Sequence, residues 1–221
     1  MRGMVLEFGG AGLCLGVGAM AYVKWGCGLV DFDNDCFKDI LIGCGHIYKD
    51  IDAMTDRTSY EVRPVLFRNL GTGAFANVSD AGGDGMMVKL VARGIAFDDL
   101  DNDGRVDVVV LNRDHPPTIL RNESATGNQW IQIQLRGKKS NRDGVGAQVK
   151  VVADDLSQVA EVHSGRGYQS HFGSRLHFGL GRRDRVDRIE VRWIGGRMEV
   201  FENLPSNRLV TLIEGSGRKT N

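Results

Sequence analysis

Short apolar runs recur along the chain and are cut repeatedly by Gly, Asn and Asp, a pattern that predicts many short strands joined by tight turns rather than long helices. Runs at residues 26–30, 40–42, 66–69, 92–97, 108–111 and 119–122 predict strands in the first half. From Trp130 the pattern changes to strict alternation. Ile131, Ile133 and Leu135 fall on one face and Gln132, Gln134 and Arg136 on the other, as in a half-buried antiparallel strand. Further strands are predicted at 147–152, 159–163, 176–180, 188–193, 198–202 and 209–213, enough for a small antiparallel β-sandwich or barrel. The polar stretch 123–128 reads as a hinge between the two parts.

The first part contains a repeat. DFDNDCFKDILI, from Asp31, aligns with DLDNDGRVDVVV, from Asp99, 68 residues later. Each copy has a small-residue strand, an acidic turn, an apolar strand and then a matching strand end, LFRN at 66–69 and ILRN at 119–122. Such a unit suits one blade of a β-propeller, so the expected architecture is all-β, a partial propeller of about two blades followed by the small β domain. The first copy carries a polar insertion at 45–63, expected to be a solvated loop, and residues 69–75 read as a hairpin turn.

The acidic turns point to a metal. Asp99, Asp101, Asp103 and Asp107 occupy positions 1, 3, 5 and 9 of a nine-residue loop with Gly104 at position 6. Converging carboxylates repel unless a cation lies between them, and a set of hard oxygens favours Ca2+ over zinc. The backbone carbonyl of Arg105, at position 7, is the natural additional ligand. Asp31, Asp33, Asp35 and Asp39 repeat the pattern with the carbonyl of Phe37, but Cys36 replaces the glycine. Forcing a side chain into the left-handed region costs about 1–2 kcal/mol, comparable with the ~1.4 kcal/mol that an ion at about ten times its dissociation constant supplies. The first loop is therefore expected to be weakened or distorted. An EF-hand is excluded: it needs a Glu at position 12, where this chain has Val110 and Ile42, and flanking helices, where it has strands.

Charge and composition exclude more than they assign. Lys plus Arg equals Asp plus Glu, at 28 each, which gives no global reason to expect nucleic acid as a partner. The basic stretch 136–142 lacks interleaved aromatics and reads as a solvated turn. The pairs His163–Ser164 and Ser170–His171 lie on strand-like or loop sequence without a nucleophile elbow, so no enzyme is expected. Cys14, Cys27, Cys36 and Cys44 have no CxxC spacing; they form either two disulfides or free buried and turn thiols. Residues 1–19 read either as a leader for export or as a partial strand, and no run is long enough for a transmembrane segment.

On the DxDxDGxxD loops, residues 20–125 resemble the FG-GAP/VCBS repeats of integrin-type propellers. The segments GKKSNRDGVGAQV, SGRGYQSHFGSRLHFGLG and IEVRWIGGRMEVFENLP make residues 126–214 similar to an ASPIC/UnbV domain, as in the cartilage acidic protein family, with 215–221 as a tail. The resemblance implies a calcium-binding, non-enzymatic interaction or adhesion module, extracellular or in the periplasm or cell envelope, with a protein or carbohydrate partner. A role as accessory enzyme or scaffold in secondary-metabolite biosynthesis is the alternative. Two blades leave open sheet edges, so the chain is expected to be a fragment or to self-associate.

Overall fold

The computed structural model describes residues 4–5, 20–196 and 198–219. Sixteen strands and a single α-helical turn, α1 (Ile51–Met54), make it an all-β molecule among the described residues. Strands β2 (Lys24–Val30), β3 (Asp39–Cys44), β4 (Val65–Asn69) and β5 (Phe75–Asn77) form one antiparallel blade, with β1 (Met4–Val5) added outside β5. Strands β6 (Ala92–Asp98), β7 (Asp107–Asn112) and β8 (Thr118–Leu120) form the second. The insertion at 45–63 holds α1, which buries no side chain. The predicted hairpin closes with the Leu70 amide donating to the Ala74 carbonyl, 3.0 Å away.

The two blades face each other through their first strands, and small residues make this possible. A Cβ on Gly26 would lie 2.8 Å from the backbone nitrogen of Ile95, and one on Gly28 would overlap the Phe97 ring. Val30, Phe32, Leu41 and Leu66 from the first blade join Ile95, Phe97, Val106, Val108 and Val110 from the second in a single buried cluster. The repeat therefore builds a core shared by the blades, beside a smaller cluster of Cys44, Val62, Val65 and Phe67 in the first.

The C-terminal part is a sandwich of two sheets. One holds β11 (Leu156–Glu161), β10 (Gln148–Ala153), β13 (Arg185–Arg192), β14 (Met198–Pro205) and β16 (Arg218–Lys219) in that order; the other holds β12 (Arg175–Gly181), β9 (Gln129–Arg136) and β15 (Arg208–Ile213). Their inner faces contribute Ile131, Ile133, Leu135, Val149, Val151, Phe178, Ile189 and Leu212 to one core around Trp193. Two details differ from the sequence expectation. β15 pairs with β9 in parallel, because the chain turns a corner after Pro205 and enters the other sheet instead of closing a hairpin. The expected tail contributes β16, paired with β14.

Cys27, Cys36 and Cys44 are free thiols, while Cys14 and most of the expected leader lie outside the described residues. No helix among the described residues is long and apolar enough to cross a membrane.

Candidate metal centre

Both acidic turns connect the first two strands of a blade and have the same internal wiring. The first aspartate of each accepts two backbone N–H groups: Asp31 from Asp35 (3.0 Å) and Cys36 (2.9 Å), Asp99 from Asp103 (3.0 Å) and Gly104 (2.8 Å). The fifth-position carboxylate accepts the amide two residues on, from Phe37 in one loop and Arg105 in the other, both at 2.9 Å. The ninth-position carboxylate ties the loop to the blade's third strand: Asp39 accepts from the Asn69 amide (2.9 Å) and Asp107 from the Asn122 amide (2.8 Å). This gives the repeated Arg-Asn strand end a job that the sequence reading left unexplained.

Backbone angles match as well. Asn34 and Asn102 have φ of 57° and 59°, and Cys36 and Gly104 have 82° and 85°. The distortion expected from Cys36 is absent; the cysteine instead adopts the strained angle, held there by the bond from its amide to Asp31.

Each loop converges three carboxylates, but not the same three. One oxygen from each of Asp31, Asp33 and Asp35 lies within 4.8 Å of the others, and the same holds for Asp99, Asp101 and Asp107. Carboxylate oxygens this close together are within reach of a single metal ion. Asp39 sits outside its group with its two oxygens on the amides of Phe32 and Asn69. Asp103 sits outside the other, paired with the Arg105 guanidinium.

Arginines stand at the same place in each repeat. Arg68 lies 2.8 Å from Asp33 and 3.2 Å from Asp35, and Arg121 lies 2.8 Å from Asp101. They offset only part of the repulsion in the first loop. Burial, followed by the charges of Asp35, Asp33 and Asp39, pushes Asp31 up to about 8, and burial chiefly pushes Asp39 up to about 7. Carboxylates that resist ionisation side by side in a closed turn fit a cation-binding role.

The second domain covers both loops with the face of β9 and β12 that the alternation marks as polar. Gln132, expected at a solvated position, is 1% exposed. Its Nε2 donates to Asp99 Oδ2 (2.7 Å) and to His177 Nδ1 (3.3 Å). His177 Nε2 donates in turn to Asn34 Oδ1 (2.7 Å), and Asn34 Nδ2 donates to the Gly104 carbonyl (3.0 Å). Desolvation lowers His177 to about 4, so the neutral ring can accept and donate in this way. The bonds close a ring from one loop, through the second domain, to the other loop and back. Arg175 adds bonds to Asp98, Asn102, the Asp99 carbonyl and Gln132 Oε1.

Close packing reinforces the ring. A Cβ on Gly104 would overlap Trp130, and one on Gly179 would overlap the Asp31 carboxylate. The expected hinge is pinned too: Thr126 and Asn128 both donate to the Asp33 carbonyl at 2.9 Å. Among the candidate catalytic pairs, Ser170 bonds to the Arg166 carbonyl and His171 to the Gly165 amide, so neither serves the other.

Comparison with known proteins agrees with this two-part layout. Residues 31–110 match the FG-GAP-like repeat family and residues 137–219 match the ASPIC and UnbV family. Cartilage acidic protein 1 of Homo sapiens and that of Mus musculus are each 27% identical over 191 residues, covering 83% of this chain and 27% of theirs. The chain thus spans about a quarter of the length of these curated relatives.

Proposed function

We propose that this chain, an FG-GAP-like repeat region followed by an ASPIC and UnbV domain, is a calcium-stabilised, non-enzymatic interaction module of the extracellular space or cell envelope. The observation that carries the reading is the convergence of three carboxylates in each of two loops of one design. Asp31, Asp33 and Asp35 would hold one ion, with Asp39 and the Phe37 carbonyl next in line. Asp99, Asp101 and Asp107 would hold the other, with Asp103 and the Arg105 carbonyl. All are hard oxygen donors, the set that calcium prefers.

The ion would act as a structural cross-link. It would neutralise the charge that makes a turn of buried aspartates costly, and so fix the junction of the first two strands in each blade. At Ser170–His171 each side chain bonds to backbone and not to the other, which supports a non-enzymatic role. An extracellular setting is supported by relatives named for cartilage. The partner is a protein or a carbohydrate, with calcium holding the surface that meets it.

Calcium titration of the full chain tests this. Heat of binding and a higher unfolding midpoint in calcium than in chelator are expected, and Asp33→Ala combined with Asp101→Ala should remove most of the rise. Asp101 suits the purpose because it is exposed and pairs with the Arg121 guanidinium. No heat and an unchanged midpoint in the wild type would overturn the calcium reading.

A further inference from the structure

We propose that the ion sites are composite: the ASPIC and UnbV domain completes them by holding both acidic loops in the shape that converges their carboxylates, so ion loading and domain docking are thermodynamically coupled. This deepens the calcium reading and rests on it.

The contacts that carry the coupling touch each loop at more than one position. Gln132 engages the first aspartate of the second loop, His177 the fourth residue of the first loop, and Trp130 packs on the glycine at position 6 of the second. Thr126 and Asn128 hold the Asp33 carbonyl at 2.9 Å. A loop that relaxes to separate its like charges must break these bonds; docking resists that relaxation.

The sign of the coupling follows from what the second domain contributes. Gln132 is a neutral donor, and it brings no positive charge to Asp99. Arg175 spends its charge on Asp98, on Asn102 and on a backbone carbonyl, none of them a carboxylate of the converged groups. The domain therefore orders the ligands without neutralising them, and docking strengthens ion binding. By reciprocity the ion strengthens docking by the same factor.

The interface offers a place to separate the domains without touching the loops. Segment 164–174 lies along β6, where Phe172 packs edge-on against Phe97 (4.9 Å) and Trp25 meets Tyr168 (5.1 Å). A Cβ on Gly94 would lie 2.6 Å from the Gln169 carbonyl oxygen and 3.2 Å from that of Tyr168. Gly94→Val is thus a wedge against the second domain. Arg175→Met removes the loop-ordering guanidinium by a different route.

In the full chain, with folding verified by circular dichroism, the calcium dissociation constant should rise about tenfold in each variant, within the usual range of coupling between sites. Cleavage after Glu123 by a glutamate-specific protease should be slow in calcium, faster in chelator, and fast in both variants at a calcium concentration that protects the wild type. Unchanged dissociation constants in both Gly94→Val and Arg175→Met would overturn the coupling and leave the calcium reading intact. Absence of calcium binding by the wild type would instead overturn the calcium reading and, with it, the coupling.

Discussion

Cys36 shows how much a single position can carry. It stands at φ 82°, an angle that glycine reaches freely and other residues reach at a cost. The first loop tolerates a side chain there because Sγ faces Gly181, where a Cβ would lie 3.5 Å away, whereas in the second loop Trp130 fills the equivalent space. Cys36→Gly should therefore stabilise the protein by about 1 kcal/mol, read as a higher urea midpoint under otherwise identical conditions. Gly104→Ala, by contrast, would meet both the angle and the tryptophan.

Glu214 is a second residue whose role was invisible in the pattern. Its Oε2 accepts the amides of Lys138, Lys139 and Ser140 at 2.7–2.8 Å, closing the basic turn after β9 onto the end of β15. Those bonds, led by that of Ser140, hold its carboxyl down to about 2 from an ordinary 4.5. A folded value below the unfolded one means the stabilisation is complete above about pH 4.5 and is lost as pH falls through about 2. Glu214→Gln should cost roughly 2 kcal/mol at neutral pH, the scale of hydrogen bonds to a charged group. The gap between wild type and variant should narrow in unfolding curves taken at progressively lower pH below that threshold.

At the scale of elements, the blades illustrate what periodicity can and cannot reveal. Strands β3, β4 and β7 declare themselves through apolar runs, and β9 through strict alternation, because side-chain direction alternates with every residue. The glycines of β2 declare only a weak strand. Their reason is the neighbouring blade, since a Cβ on Gly26 would lie 2.8 Å from the Ile95 nitrogen and 2.9 Å from the Arg93 carbonyl oxygen. Gly26→Val should force these strands apart and destabilise the molecule by about 2–3 kcal/mol, measured by urea unfolding at fixed calcium. The parallel pairing of β15 with β9 was equally beyond the pattern, which carries no record of which sheet a strand joins after a corner.

At the scale of the whole molecule, the second domain is seated on the acidic loops of the first, and segment 164–174 wraps β6 beside them. The stretch of sequence that looked like a hinge is held by the Asp33 carbonyl, and the polar face that looked solvated is an interface. A run of alternating polar residues says that one face avoids an apolar core. It does not say whether water or carboxylates lie against it.

The sequence alone determined the class of structure, the repeat and the eight aspartates, because strand alternation and ligand spacing are local properties of the chain. It also identified Asp39 and Asp107 as one equivalent pair, though their bonds to Asn69 and Asn122 appear only once the third strand is in place. Tertiary structure alone decided which three carboxylates meet in each loop, why a cysteine is tolerated in one and a glycine required in the other, and that Gln132, Arg175 and His177 belong to the site. Those outcomes depend on contacts between residues tens of positions apart, and no local pattern of hydrophobic and polar positions encodes them.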